Sequence, residues 1–309
     1  MKRVLVTGAS GFIGRQCLPL LISRGYEVHA TSRRPPAFAE PGVHWHAADI
    51  SDRSQLAEVV RASKPSHLLH LAWTTTPGTF WHSTENFRWV SASLDLIQEF
   101  KKNGGQRIVA AGSCAEYEWG QEYDELKSRP RPGTTYGICK NAFRELLESF
   151  ATGNNLTWAW GRVFFMFGPA EPPEKLAASV ILSLLRDETA RCSEGTQVRD
   201  FMHVGDVADA FASLLDSEVS GPVNIGSGVG IEVRQFASMI AEQLAKAHLL
   251  EFGARTSKNE PEYIVANVDR LKNELAWVPK IGLESGIAQT IDWYRRSLRQ
   301  ENSGKRRCN

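Results

Sequence analysis

Three side chains near the middle of the chain have the types and spacing for proton transfer. Tyr136 and Lys140 are four residues apart in T-T-Y-G-I-C-K (134–140). On a helix that separation stacks both side chains on one face, about a turn apart. A free phenol titrates near about pH 10 and is a poor acid–base at neutral pH. A lysine one turn away favours the phenolate and lowers that pKa, so the pair can give a proton to a developing alkoxide. Ser113 ends the apolar run R-I-V-A-A-G-S (107–113) and offers a hydroxyl to orient a carbonyl. This is the equipment of carbonyl reduction, and it needs a source of hydride.

The start of the chain supplies a reason to expect one. T-G-A-S-G-F-I-G (7–14) lies between an apolar run and a helical pattern. Gly8, Gly11 and Gly14 give a tight turn, room for a pyrophosphate and close packing of helix on strand, with the helix N-terminus facing the phosphates. A chain that binds NAD usually has an acidic residue about 20 residues past this loop, on the ribose 2′-hydroxyl. Here the second strand ends A-T-S-R-R-P (30–35), with Arg33 and Arg34 and no carboxylate. Guanidinium groups suit a 2′-phosphate, so NADP(H) is the preferred cofactor and NAD(H) the other possibility. The arginines can also be read as a solvated loop. Asp49, in A-A-D-I-S-D, can accept from an adenine amine or cap the helix that begins near Ser54.

These residues need a frame. Val4–Val6, Val28–Ala30, His67–Ala72, Ile108–Ala111 and Trp158–Phe165 are short apolar runs that alternate with helical patterns over Ile13–Arg24, Ser54–Ser63, Asn86–Lys102 and a helix from near Tyr136. Such alternation predicts an α/β fold, a Rossmann-type doubly wound parallel sheet covered on both faces. After F-G-P (167–169) a Pro-rich connector, A-E-P-P-E-K, leads into further helices, and V-N-I-G-S-G (223–228) again reads as a strand. The expected organisation is a dinucleotide-binding domain over 1–168, with strands returning to it from about 199–226. A smaller mixed α/β C-terminal substrate lobe takes 169–198 and 227–300, and 301–309 reads as a flexible tail.

Composition narrows the function. Of 309 residues 42% are hydrophobic and 23% charged, with 36 Lys and Arg against 35 Asp and Glu. This is the make-up of a globular chain, and it does not suggest a nucleic-acid coat or a membrane surface. The five cysteines, at 17, 114, 139, 192 and 308, form no C-x-x-C, so reduced thiols and a cytoplasmic location are expected. M-K-R-V-L-V-T-G imitates a signal peptide, but glycines and polar residues interrupt it at once. Leu176–Leu185, the most apolar helical stretch, is too short for a bilayer. No His, Cys and carboxylate spacing spells a metal site. His70, inside L-L-H-L-A, reads as a satisfied core residue.

The glycine loop, D-I-S-D, H-L-A-W (70–73), S-C-A-E-Y (113–117) and Y-G-I-C-K together resemble the extended short-chain dehydrogenase/reductase family, in its NAD-dependent epimerase/dehydratase, nucleotide-sugar branch. R-V-F-F-M-F-G-P (162–169), V-R-D-F-M-H-V-G-D-V-A (198–208), N-I-G-S-G and the closing L-A-W-V-P-K…T-I-D-W-Y match the later motifs in order, over about residues 3–295. The resemblance implies a catalytic triad of Ser113, Tyr136 and Lys140. It implies a dinucleotide site of Gly8, Gly11, Phe12, Ile13, Gly14, Ser32, Arg33, Arg34, Asp49, Ile50, Leu71, Ala72, Trp73, Tyr136, Lys140 and Val163. A nucleotide-diphosphate sugar would meet Trp73, Ser113, Phe165 and Arg199, with Arg199 on the diphosphate. In a plainer reading Arg199 pairs with Asp200 or Asp206. By analogy with the family, a homodimer forms through Asn86–Lys102 and Tyr136–Ala151.

Departures from the family pattern shape the reaction. Its 4,6-dehydratases read T-D-E where this chain has Ser113, Cys114 and Ala115, so the acid and base for elimination are missing. In the epimerase-reductases of the GDP-fucose synthase type a cysteine follows the serine by two places; Ala115 stands there, and Cys114 reads as packing. Phe165 and Trp89 replace common asparagines, and Trp73, Phe80, Trp81 and Trp89 suggest an aromatic sugar pocket. The preferred reading is NADPH-dependent reduction of a keto group, at C4, of a nucleotide-diphosphate deoxysugar. A nucleotide-sugar C4-epimerase with tightly held NAD is the alternative, and a non-catalytic dinucleotide sensor a third.

Overall fold

A computed structural model describes residues 2–34, 40–120, 123–256 and 261–307, with side chains to residue 300. The chain runs β1 (Arg3–Thr7), α1 (Gly14–Ser23), β2 (Glu27–Ser32), β3 (Val43–Ala47), α2 (Arg53–Ser63), β4 (His67–His70), α3 (Glu85–Lys102), β5 (Arg107–Ser113), α4 (Thr135–Gly153) and β6 (Thr157–Val163). Then come β7 (Phe165–Phe167), α5 (Leu176–Leu185), β8 (Ala190–Arg191), β9 (Val198–Arg199), β10 (Phe201–His203), α6 (Val204–Asp216), β11 (Gly221–Ile225), β12 (Ile231–Glu232), α7 (Val233–Gln243), β13 (Leu250–Glu251), β14 (Tyr263–Ile264), α8 (Asp269–Asn273) and α9 (Leu283–Arg307).

Seven parallel strands form the main sheet in the order β11-β6-β5-β4-β1-β2-β3. The fold is α/β of the Rossmann type. Strand period two splits β1 cleanly. Val4 and Val6 pack with Cys17, Leu18 and Leu21 of α1 and Phe211 and Leu214 of α6. Leu5 points the other way, into Leu56, Val60, Leu96, Phe100, Phe143 and Leu147 from α2, α3 and α4. With both faces buried, the strands carry apolar residues at successive positions. A separate core joins Ile181 and Leu184 of α5 to Phe236 and Ile240 of α7 and Ile287 and Ile291 of α9. Strand order reverses between β1 and β4, and in such sheets ligands bind beyond the carboxyl ends at that point.

Two sequence expectations are revised. Trp158–Phe165 reads as one strand, but the chain changes sheets at its end: the Phe164 amide donates to Ile225 and the next amide, Phe165, to Asp200. β7 then pairs with β10 in a small sheet of its own. The helix near Ser54 is capped by Asp52, whose carboxylate accepts from the Ser54 and Gln55 amides, and not by Asp49. Residues 301–307 continue α9, and Cys308 lies outside the described residues. Cys17, Cys114, Cys139 and Cys192 are free and buried. No described helix is long and apolar enough to cross a membrane.

His70 shows how tightly the end of β4 is specified. Ser93 Oγ donates to the Trp89 carbonyl at 2.6 Å, so at 2.9 Å it accepts from His70 Nε2. Nδ1 is then left to accept from Thr7 Oγ1 at 2.6 Å. The ring is a neutral core residue, and burial, seconded by the charge of Lys140, lowers its pKa to about 3. The unfolded chain takes up this proton near pH 6.5 and the folded chain does not, so the stabilisation is complete above about 6.5 and is lost as pH falls towards the folded value. Between pH 7 and 5 this ring alone costs roughly 2 kcal/mol. Urea unfolding at both pH values should show a flatter dependence for His70→Gln than for wild type, and equal slopes would exclude this account.

Candidate active site

The loop from β1 into α1 is closed too tightly for side chains at two of its glycines. Gly8 has φ +69°, and a Cβ there would stand 2.7 Å from the Ala72 amide nitrogen. A Cβ on Gly14 would stand 2.2 Å from the Gly8 carbonyl oxygen. The Gly11 amide donates back to Gly8 at 2.9 Å, and α1 begins after Ile13 without a side-chain cap. First-turn amides without a side-chain acceptor and a close main-chain approach fit a dinucleotide diphosphate. Phe12 and Ile13 belong to this turn, and Leu71 and Ala72 flank it from the end of β4.

At the end of β2, Ser32 Oγ donates to the Arg34 carbonyl and lies 3.3 Å from Ser10 Oγ, which ties this strand end to the glycine loop. Arg33 and Arg34 are exposed. Asp49, half-buried beyond β3, accepts from the amide and hydroxyl of Ser51 at 2.9 and 2.8 Å, and Ile50 beside it is buried. Adenosine-sized groups reach such strand ends in this fold class.

A second cluster gathers where β5 meets α4. Thr134 caps α4 through the Gly137 amide at 3.1 Å. Gly137 lets the helix lie against the turn after β5, since a Cβ there would stand 2.2 Å from the Ala115 carbonyl oxygen. That contact brings Tyr136 close enough to Ser113 for the serine hydroxyl to act on the phenol. Lys140, one turn on, donates to the Ala111 carbonyl at 2.8 Å and lies 3.9 Å above the Trp73 ring. Phe80, Trp81 and Trp73 meet the Tyr136 ring edge-on, with centroids 5.0, 5.8 and 6.5 Å away. Trp89 stacks on Trp73 at 6.3 Å.

Burial dominates the electrostatics. It holds the Tyr136 phenol above its ordinary pKa, against the nearby Ser113 hydroxyl, which pulls the other way. It also draws Lys140 down to about 7, with Glu116 opposing. The downward pull of lysine on the phenol, expected from spacing, is not among the influences on Tyr136: burial raises it, with Glu116 and Cys114 acting the same way. Burial pushes the Cys114 thiol up to about 12, so it is no acid–base at neutral pH.

Phe165 and Arg199 form a third group. The buried Arg199 guanidinium carbon lies 5.3 Å from the Phe165 ring centroid, and its Nη1 donates to the Val198 carbonyl at 2.9 Å. Asp200 is occupied by the amides of Ser227, Gly228 and Ala266, and Asp206 by those of Lys280 and Ile281. The charge of Arg199 reaches Cys114, beside Ser113. Val163, paired with Ser113 across β6 and β5, lies between the second and third groups.

The sequence pattern of the NAD dependent epimerase/dehydratase family matches residues 4–226. The chain belongs to this family. It is an enzyme of the epimerase/oxidoreductase kind within the extended short-chain dehydrogenase/reductase fold. Among curated relatives, UDP-glucose 4-epimerase of Rhizobium leguminosarum bv. trifolii is 27% identical over 96% of this chain and 98% of its own length. Two solved structures superpose with TM-scores of 0.84. One is MoeE5 in complex with UDP-glucose and NAD, 29% identical over 96% of this chain and 99% of that one. The other is UDP-glucose 4-epimerase of Thermus thermophilus in complex with NAD, 26% identical over 95% and 99%.

Sequence reasoning on this family member missed a polar layer behind Ser113. Glu116, fully buried, accepts from the Ser113 amide at 2.8 Å and from Arg162 Nε at 2.8 Å. Arg162 Nη1 donates to the Tyr117 hydroxyl at 3.0 Å, which donates to Asn224 Oδ1 at 2.9 Å. The signal was present: an arginine inside the apolar run W-A-W-G-R-V-F-F must find buried acceptors, and a carboxylate is the strongest of them.

The glycine contact that seats α4 is testable. Gly137→Ala should lower unfolding stability by about 2 kcal/mol, as overpacking does. Gly153→Ala, where a Cβ meets nothing within 4 Å, should raise it by about 0.5 kcal/mol through helix propensity. Equal effects in urea titrations would refute the close approach.

Proposed function

We propose that this chain is an NAD-dependent nucleotide-sugar 4-epimerase. The observation that carries the reading is the cluster of Ser113 at the end of β5, Tyr136 at the start of α4 and Lys140 one turn on, held to the Ala111 carbonyl at 2.8 Å, beside a glycine loop shaped for a dinucleotide. The 27% identical relative and the two solved neighbours, one holding NAD and the other UDP-glucose and NAD, support it. They do not support the NADP(H) preference drawn from Arg33 and Arg34, and they favour epimerisation over net ketoreduction. The missing acid and base at Cys114 and Ala115 argue against dehydration.

Bound NAD would supply the reversible hydride acceptor for the sugar C4. Gly8, Gly11, Gly14, Phe12 and Ile13 would hold its diphosphate and Asp49 its adenine. Tyr136 Oη takes the proton of the C4 hydroxyl as hydride leaves, and gives it back on return. Ser113 Oγ donates to the same oxygen and fixes its direction. Lys140 stabilises the phenolate side of each exchange, which a buried phenol needs because burial opposes its ionisation. Arg199 would meet the diphosphate of the sugar nucleotide, and Phe165 would replace a polar contact with a ring face. A homodimer through α3 and α4 is part of the proposal, supported by the exposed Phe87, Ile138 and Leu146 on those helices.

Acid-released cofactor from purified protein should be NAD, and UDP-glucose should be converted to UDP-galactose without added dinucleotide. Tyr136→Phe should lose roughly a thousandfold in turnover while keeping its bound NAD. Arg33 and Arg34, with no carboxylate at the end of β2, favour the reductase as a second reading. Stoichiometric NADPH oxidation with a keto-sugar nucleotide, and no tightly held NAD, would establish it instead.

A further inference from the structure

The last residues of β5 are held at two points. Lys140 Nζ donates to the carbonyl of Ala111 and the amide of Ser113 donates to Glu116 Oε1, each at 2.8 Å. Gly112 lies between them, where a Cβ would stand 2.6 Å from Glu116 Oε1 and 2.1 Å from Trp160 Nε1. The Glu116 carboxylate has no exposed surface, accepts from Trp160 Nε1 at 3.0 Å on both oxygens, and receives Arg162 Nε on Oε2. Filling this space with apolar side chains would avoid the desolvation of two charges. A buried carboxylate kept here points to work that charge does.

Its field has a target. Around Lys140 stand the Trp73 ring, the Tyr136 ring at 6.0 Å, the Ala111 carbonyl, and His70, whose neutral ring Lys140 helps keep uncharged. Besides the aromatic rings, Ser113, Cys114 and Glu116 itself act on Tyr136, Ser113 lowering and the other two raising its pKa. Among the described residues acting on Lys140, Glu116 is the negative charge.

We propose that Glu116 is a positioning residue for proton transfer, its buried carboxylate fixing the main chain that carries Ser113 Oγ, one residue beyond Gly112 and two beyond the carbonyl that holds Lys140. Its effect on turnover rests on the epimerase reading, whereas the charge coupling does not. Burial alone would carry Lys140 further below its ordinary range, and Glu116 limits that fall.

Two variants test this. Glu116→Gln keeps size and an acceptor oxygen but leaves Arg162 buried without its partner, and it can fail to fold. Glu116→Gln/Arg162→Met removes both charges and avoids that outcome. Because Lys140 Nζ lies 3.9 Å over Trp73, its protonation registers in indole emission, read as the difference between each cofactor-stripped protein and its Lys140→Met counterpart. The wild-type difference should titrate near about 7, and that of the folded variant roughly half a pH unit or more lower. With UDP-glucose, kcat should fall roughly ten- to a hundredfold with KM within about threefold. A folded variant with an unmoved midpoint, or with kcat near wild type, overturns the proposal. Wild type inert towards every nucleotide sugar offered would sink the epimerase reading, leaving the titration to decide the coupling alone.

Discussion

A fully buried ion pair, Arg162 with Glu116, is the constraint around which the site is arranged. Charges without water must find every partner inside the protein. Arg162 therefore enlists Tyr117, and Tyr117 enlists Asn224. Asn224 in turn donates to the carbonyls of Tyr123 and Asn267. The chain of bonds crosses from β6 through the end of β5 to β11 and on to the approach to α8. The Ser113 hydroxyl at the end of β5 thus inherits its position from the two strands beyond it on one side of the sheet, β6 and β11. Gly112 and Gly137 are the clearances that let this layer and α4 close on the same few residues.

The aromatic enclosure adds a different kind of control. Phe80, Trp81 and Trp73 surround the Tyr136 ring with edges, and little water reaches it. A dry phenol resists ionisation, and a dry amine resists protonation, so burial drives the proton affinities of these two neighbours apart, the phenol upward and the amine downward. The same dryness strengthens each remaining electrostatic contact.

Much of this was legible in the sequence because it follows from period and type. Parallel strands are apolar at successive positions, and the run Val4–Val6 announces burial on both faces. The Tyr136–Lys140 spacing fixes a shared helical face whatever the tertiary context. Other features depend on partners distant in the chain. Nothing local to Phe164 says that the next residue bonds to another sheet, since Asp200 and Ile225 supply the competing acceptors. Asp49 and Asp52 both fit a cap by spacing, and only the backbone turn selects Asp52. The balance at Tyr136 needed the burial that Phe80 and Trp81 impose from another segment. Arg33 and Arg34 state a charge, but not what that charge faces.

The place of β11 at the end of the sheet has a consequence for how the molecule is made. Its residues, Gly221–Ile225, pair with β6 in register from Ala159 to Val163. The nascent chain therefore leaves the edge of β6 open until the whole stretch between the two strands has emerged. Open edges of apolar strands invite pairing with other chains. Truncation between α5 and β11 would leave that edge bare for good, and would strip Tyr117 of the Asn224 acceptor in the buried polar chain. The gene for this enzyme is therefore poorly suited to being split in its middle, even though its glycine loop and the cluster of Ser113, Tyr136 and Lys140 are already complete by residue 140.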